Sequence, residues 1–575
     1  MSDYITTPHA FVRIYNYIDR LGSKDASSPN EVEVLDVHSD IIAIETSKTK
    51  SQPAGQFQIV LAPSKNWVTT LSPGSWISIH MSNSAKIETS LGSILKFSPS
   101  NLKMIGRIDS VRMNMQVDPL TGLRHTVFVM VGRDWGQVFE YNLYIDPLAF
   151  SSGDDALTKI VKLTFNSKIL DAFKGKIVTS TTKLMQFLVE LWSSQSVMAM
   201  FRKSLTSGGL DADRFVPDVA LVLPNELVQD FMGINFGGSL SIIDHISYIV
   251  GVLTDYDTYE DKEETVGFLD VQSLIGNNNL WSLIVSHSSP VVNEVFAELV
   301  WDGDSPNLGL YKRVKPFVIS KGVGGLAGLN LSSLGSFGGG SNKTADQISS
   351  PFFHVKKHKI ESDRVMKIDV GNNWKDRVNF IEIMPTSSYL GPYAKDFGAA
   401  AQTLNRLADN ATYDKESFSR EGFRSLMYSS NFMPRNASQV IDGRECSKWI
   451  PILKEWYFDT HKYLNGTLII VGMDEYLGVG DNVLLSASIF GKTSFVNGQS
   501  ENSGFLAHIE SVSHSFVLND TGSKSYMTTI QFIRGIFTNE DGTALIDKDS
   551  YGIDTDAKDL LDSDELIATN IKTKG

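Results

Sequence analysis

The sequence predicts an α+β, β-rich multidomain protein in which two similar small antiparallel β-barrels are separated by a mixed α/β region. Three observations lead there. In GRIDSVRMNMQVDPLTGLRHTVFVMVGRDW, residues 106–135, Val111, Met113, Met115 and Val117 alternate with Arg112, Asn114 and Gln116. That period of two is the pattern of a half-buried strand, and a glycine turn returns the chain as a hairpin. AHIESVSHSFVLNDTGSKSYMTTIQFIRGIF at 507–537 nearly repeats it. Upstream, Gly480-Asp481-Asn482-Val483 repeats Gly74-Ser75-Trp76-Ile77, so the echo extends from one hairpin to a whole small barrel.

The match can be followed by position. Ile108-Asp109-Ser110-Val111 falls on Ile509-Glu510-Ser511-Val512, 401 residues on, and the same offset takes Val129, Val131 and Arg133 to Ile530, Phe532 and Arg534. Both copies turn on Thr-Gly, at Thr121-Gly122 and Thr521-Gly522. Ile108/Ile509 and Val111/Val512 keep apolar character where a barrel interior needs it. Asp109/Glu510 and Arg133/Arg534 keep charge where a rim meets water or a partner. With Asp134 they are the candidate residues of an inter-subunit or partner interface.

A chain of 575 residues is too long for one core, and ~150 residues per domain suggests about four. Its composition, 42% hydrophobic and 21% charged, is that of an ordinary globular protein. A net charge of −14 argues against a general grip on nucleic acid, which needs clustered Lys and Arg. The single cysteine, Cys446, excludes an intramolecular disulfide framework and a Cys-based zinc cluster. MSDYITTPHAFVRIYNYIDR lacks the basic start and apolar core of a signal peptide, and no apolar run reaches the ~20 residues of a membrane helix. Folding in a reducing cytosol, without membrane anchoring, is the expectation.

Along the chain, residues 1–150 read as the first β-barrel domain, with QFQIVLA and GSWISIHM as strands ahead of the hairpin. Residues 151–321 form a mixed helical and extended domain. In STTKLMQFLVELWSS, Leu184, Leu188 and Leu191 recur at helical spacing behind Ser180, Thr181 and Thr182 as caps. LSIIDHISYIVGVL and NLWSLIVSH predict two more helices. PVVNEVFAELVWDGD reads as extended, with a helix starting at Pro290 as the rival. Residues 322–350, Gly- and Ser-rich over 322–341, read as a flexible loop. Residues 351–450 form a second mixed domain, with strands available to the second barrel. SKWIPILKEWYFDTHKYL predicts a helix delivering the chain into the second barrel domain, 451–537. The acidic tail, 538–575, is expected to be dispensable for folding.

Candidate chemistry is sparse. GGGSNKT lacks the glycine that a phosphate-binding loop needs before its lysine, since Asn342 precedes Lys343. His354 and His358, in HVKKH, could ligate a metal from one helical face, but the segment reads as extended and no HExxH glutamate accompanies them, so surface histidines are expected. On a strand Glu294 and Glu298 would stand ~13 Å apart at ~3.3 Å per residue, beyond a glycosidase pair. Two carboxylates on a helix would more often be solvated than catalytic. No GxSxG elbow is present, Cys446 carries no mark of an activated thiolate, and Gly132-Arg133-Asp134 reads as a strand end with an exposed ion pair. No enzyme and no cofactor are expected.

The order of several stretches resembles the central baseplate hub proteins of contractile-tail bacteriophages. They are the hairpin closing in Gly132-Arg133-Asp134; Leu280-Trp281-Ser282-Leu283 followed by Asn293-Glu294-Val295-Phe296 and Glu298; and Leu310-Tyr311-Lys312-Arg313 leading to Pro316-Phe317. YDKESFSREGFRS, with Glu416-Ser417, Gly422 and Arg424, and Asn465-Gly466-Thr467 running into the Gly480 strand, complete the set. They span roughly residues 60–537, and the weight lies in their order rather than in any one motif. The Gly-rich loop and the acidic tail depart from the pattern.

The resemblance implies a homotrimeric ring joining a hexameric tail tube, or its initiator proteins, to a trimeric central spike, with baseplate wedge proteins around it. DNA would pass through the channel without specific binding, and the place would be the virion tail, assembled in the bacterial host cytoplasm. Two similar barrels taken three times would give a threefold protein a pseudo-sixfold face. The alternatives are a β-rich carbohydrate-binding tail-tip protein, which should expose aromatic platforms in its loops, and, more remotely, a tail-associated hydrolase.

Overall fold

In a computed structural model of the chain the alternating runs become strands of one 13-stranded sheet. The structure describes residues 8–17, 32–83, 101–117, 124–140, 142–145, 411–430, 460–486, 503–519 and 522–539, and parts of 222–251, 276–314, 355–385 and 457–458. The predicted helix at 180–194, the loop at 322–350, the tail beyond 539, most of the helix predicted over 447–464, Cys446 and His354 lie outside the described residues.

The first unit holds β1 (His9–Tyr17), β2 (Val32–Val37), β3 (Ile41–Thr49), β4 (Gln56–Leu61), the short α1 (Trp67–Thr70), β5 (Trp76–Ser82), β6 (Leu102–Val117) and β7 (Arg124–Asp134). Its strands lie in the order β3-β4-β7-β6-β5-β1-β2, antiparallel throughout. They curl around a core of Val12, Ile14, Ile44, Ile59, Trp67, Ile77, Ile79, Ile108 and Met130. Each such side chain, once fully buried, contributes ~1.5–3 kcal/mol of transfer free energy.

The middle region begins with β8 (Asn142–Ile145), β9 (Val222–Leu223), α2 (Asn225–Met232), β10 (Leu240–Ser241) and β11 (Ile246–Gly251). It continues with β12 (Gly276–Asn279), α3 (Leu280–Ser286), β13 (Asn293–Asp302) and β14 (Ser305–Val314). β13 and β14 form an antiparallel hairpin, so the extended reading of Asn293–Asp302 holds over the helical one, and α3 falls in the NLWSLIVSH stretch. β11 corrects the helix expected in LSIIDHISYIVGVL: Ile246–Gly251 is a strand parallel to β14. A short, mostly apolar run of this kind cannot be separated from a helix by periodicity alone.

The second unit opens with β15 (Lys357–Ile360) and β16 (Val365–Asn372). A separate small sheet follows, of β17 (Phe380–Pro385), β18 (Ala411–Tyr413) and β19 (Ser425–Ser430). Between β18 and β19 lies α4 (Lys415–Glu421), whose first turn is capped by the Asp414 carboxylate and which ends at Gly422, at φ 78°. The unit closes with β20 (Leu464–Val471), β21 (Asn482–Leu485), β22 (Ser503–Leu518) and β23 (Lys524–Asn539), in the order β16-β20-β23-β22-β21-β15.

The two units share a plan. Strands β3-β4-β7-β6-β5-β1 and β16-β20-β23-β22-β21-β15 follow the same order in sheet and in sequence. They differ at the last position, where β1 is antiparallel to β5 and β15 parallel to β21. Two of their irregularities coincide. Asp109 is bulged out between Ile108 and Ser110, and Glu510 between Ile509 and Ser511. The β3–β4 ladder slips between Ile41 and Ala43, and the β16–β20 ladder between Val365 and Lys367. Gly74, at φ 88°, donates its N–H to the Ile108 carbonyl, whose own N–H reaches the Ser75 carbonyl. Gly480, at φ 83°, repeats this with Ile509 and Asp481. A φ this positive favours glycine, which has no Cβ to strain, and accounts for its recurrence in both copies. A common strand order with two bulges at matching places marks a duplicated design.

One detail of the sequence match is corrected. Val111 pairs Met130 and Val512 pairs Ile530, so the return strands match with an offset of 400, not 401. The five-residue turn between Leu518 and Lys524 is one shorter than that between Val117 and Arg124. A one-residue slip moves every side chain to the other face. The partner of Arg133 is therefore Ile533, and those of Val129 and Val131 are Thr529 and Gln531.

With the register set, Phe57 stands opposite Gly132 in the first unit and Gly466 opposite Phe532 in the second. Large and small have changed strands while the pair still fills the same space. A Cβ on Gly132 would run into the Arg107 carbonyl and the Phe57 ring, and one on Gly466 into the Asp369 carbonyl and the Phe532 ring. Gly132→Ala and Gly466→Ala are each expected to cost ~1–3 kcal/mol by overpacking. Gly371→Ala, with nothing within 4 Å, is expected to leave the melting temperature of the free chain unchanged. Thermal unfolding of the three variants checks this.

Candidate functional site

The units are joined edge to edge. β22, beyond its pairing with β21, continues as Ser511–Val517 alongside β3, from Ser511 opposite Thr49 to Val517 opposite Ala43. Phe516 and Tyr526 of the second unit thereby enter the core of the first. Below this seam runs β13, with Glu294, Phe296 and Glu298 on one face by strand alternation.

Lys50, at the end of β3, lies 3.0 Å from Glu294 and 2.8 Å from Glu510. Burial works against its ammonium, but the two carboxylates outweigh it and hold its pKa above the ordinary value. His508 completes the group, 3.3 Å from Glu294 and 2.9 Å from the Asn482 side-chain oxygen. One lysine thus ties together both units and the middle hairpin.

A second buried cluster lies beside it. Lys48 donates to Asp134 at 2.5 Å and to the Pro53 carbonyl at 2.7 Å, while Asp134 also accepts from the Gly136 N–H. Glu298 accepts from the Tyr476 hydroxyl and from the N–H groups of Leu299 and Val479. Burial pushes its carboxyl pKa up, against the pull of Lys48 and those hydrogen bonds. Lys103 donates to the carbonyls of Asp474 and Glu475, and burial brings its ammonium down to about 7. Lys48, Lys103, Asp134, Glu298 and Tyr476 line a cavity with room for roughly one water. The arrangement clamps strands; it has no space for a substrate.

The residues expected at a rim divide into two sets. Asp109 and Arg133 sit at the surface and pair with each other at 2.8 Å, Arg133 also reaching Glu140. Glu510 is partly exposed and shared with Lys50. Asp134 and Arg534 are buried inside the chain. The exposed ion pair near Gly132 is therefore Arg133 with Asp109, not with Asp134. Arg534, at φ 57°, bulges one residue beyond the position equivalent to Arg133 and stacks over Tyr463 at 4.7 Å. His358, expected at the surface, is buried and bridges Glu475 at 3.1 Å and Asp481 at 2.8 Å. Among the described residues no group of His, Cys, Asp and Glu is arranged to hold a metal.

The sequence marks Glu294 and Glu298 as part of the stretch that carries the resemblance and dismisses them as a catalytic carboxylate pair, and it gives no sign of Lys48, Lys50, His508 or Tyr476. A lysine in an alternating strand looks like any solvated one, and its partners lie up to 460 residues away.

No family model matches the chain, and no curated protein matches it. Solved structures do. The tail protein from Neisseria meningitidis MC58 aligns over 93% of this chain and 98% of its own, at 10% identity and a TM-score of 0.39. The 43 kDa tail protein of prophage MuSo2 from Shewanella oneidensis aligns over 92% of this chain and 98% of its own, at 10% identity and a TM-score of 0.39. A Francisella PdpA-VgrG complex aligns over 94% of this chain and 54% of that one, at 7% identity and a TM-score of 0.36. The chain is similar to tail proteins. The likeness is distant in every case.

Lys50→Met removes the ammonium beside the buried Glu294 carboxylate, and is expected to cost ~3–5 kcal/mol, partly recovered by adding Glu294→Gln. Arg133→Met, at a side chain 37% exposed, should cost no more than ~1 kcal/mol. Because the Lys50 pKa is raised from 10.5, its contribution is full below that value and is lost as alkaline pH passes the raised one. Chemical denaturation of the variants from neutral to alkaline pH measures both effects.

Proposed function

We propose that the chain is the structural hub of a contractile-tail baseplate, a homotrimeric ring that adapts a hexameric tail tube to a trimeric central spike around the DNA channel. The observation that carries this reading is the duplicated strand plan within one sheet. A threefold assembly of such chains has six similar edges to offer, so one protein can meet a sixfold partner on one side and a threefold partner on the other. The net charge of −14 supports it, since a channel that passes DNA should repel phosphate rather than hold it. Asp109 and Glu510, at matched bulges, and Arg133, paired with Asp109, are exposed or partly so and are the charges such a ring would turn toward the tube or its initiator proteins. Asp134 and Arg534 serve within the chain. Wedge proteins would surround the ring in the virion tail, assembled in the host cytoplasm, and the role is structural rather than enzymatic.

One observation favours a second reading, a carbohydrate-binding tail-tip protein. Phe418 on α4 and Phe423 just beyond it are exposed and in edge contact, Tyr413 on β18 is exposed as well, and aromatic faces of this kind can stack on sugars. Glycan binding lost in Phe423→Ala would support it.

Mass photometry of the chain co-expressed with its spike protein is expected to show three copies per complex. Two or six copies would contradict the ring.

A further inference from the structure

Among the described residues the seam inside the chain has two counterparts without a partner strand. β22 pairs with β21 through its first half and with β3 through its second. Its equivalent, β6, pairs with β5 only through Leu102–Arg107. Beyond that, among the described residues, its outer edge has no partner strand. β3 is sandwiched between β4 and β22, whereas its equivalent, β16, pairs among the described residues with β20 alone. The matched bulges fix the correspondence. Ile44 opposite Ile59 becomes Ile368 opposite Leu468, and Phe516 on β22 becomes Met115 on β6.

We propose that β16 of one copy adds antiparallel to the outer half of β6 of a second copy, in the register that β3 uses on β22. Within the chain His514 faces Thr46, Ser515 faces Glu45 and Phe516 faces Ile44. Carried over, Met113 faces Val370, Asn114 faces Asp369 and Met115 faces Ile368. This rests on the ring reading above and names the strands that close it.

The side chains fit the register. Met113 and Met115 are 58% and 53% exposed, while His514 and Phe516, which hold their places on β22, are 4% and 3% exposed under β3. Two neighbouring exposed methionines on an open strand edge are a surface that soluble chains cover. Ile368 and Val370, two of the three half-buried apolar residues of β16, would lie opposite them. On the other face Asp369 comes diagonal to Arg112, an opposite-charge pair across the ladder. The contact is head-to-tail, β16 on one side of the chain and β6 on the other. Such a contact closes only when the rotation per copy divides a full turn.

The test removes the sole cysteine with Cys446→Ser and adds Met113→Cys with Val370→Cys. Directly opposed strand residues lie within disulfide reach. Oxidation of the assembled particle is expected to give covalent dimers and trimers on a non-reducing gel. The control pair Met113→Cys with Asp369→Cys, on opposite faces, should give none. Three-copy particles in which neither pair links, or the control links as well, overturn the register and leave the ring standing; particles that never hold three copies overturn both. Should the cysteine variants fail to fold, hydrogen exchange on the unmodified chain decides. Alternate amides in 110–116 and 365–372 are expected to slow at least about tenfold on assembly, and unchanged rates overturn the proposal.

Discussion

The strand pairing of β22 with β3 is the constraint on which the rest depends. Seven residue pairs, Ser511–Val517 against Ala43–Thr49, turn two curled units into one continuous sheet. Strand pairing fixes direction, spacing and register at once, because a slip of one residue would turn Phe516 and Ile44 outward and Ser515 and Glu45 inward. Two packed globules could pivot against each other. Two units sharing a ladder cannot, and a fixed angle between repeats is what a pseudo-symmetric assembly requires.

Charge holds the middle hairpin to that seam. Glu294 and Glu298 enter a region of low polarity, where each costs free energy to desolvate, and Lys50 with Tyr476 and two backbone N–H groups offsets the cost. Such groups add little net stability. They make one seating of β13 far better than its neighbours, since any shift leaves a buried charge without its partner.

The duplication was legible where both copies keep the same residue types at the same spacing. Ile108 and Ile509, the Gly74 and Gly480 turns, and the alternation of β6 and β22 all survive in the structure. The return strands were misaligned by one residue because both copies alternate, so either offset gives a plausible pattern until pairing chooses. The equivalence of β3 with β16 was not legible at all: IIAIETSKT and VMKIDVGN share little beyond apolar spacing, and the β17–β19 sheet separates β16 from β20 in sequence. β11 misled because its sequence, Ile246-Ser247-Tyr248-Ile249-Val250, is too short and too evenly apolar for periodicity to separate a strand from a helix. The Lys50 cluster and the buried His358 were invisible because their partners are distant in sequence and carry no local spacing.

The central claim is that two equivalent units of one chain occupy equivalent places in a ring. Cryo-electron microscopy of the assembled baseplate, reconstructed without imposed symmetry, tests it most directly. The account predicts that residues 41–134 and 365–539 of each chain lie at one height on the axis, related by a rotation of about 60°, half of one threefold step. Units at different heights, or related by an angle unconnected with the threefold axis, would contradict it.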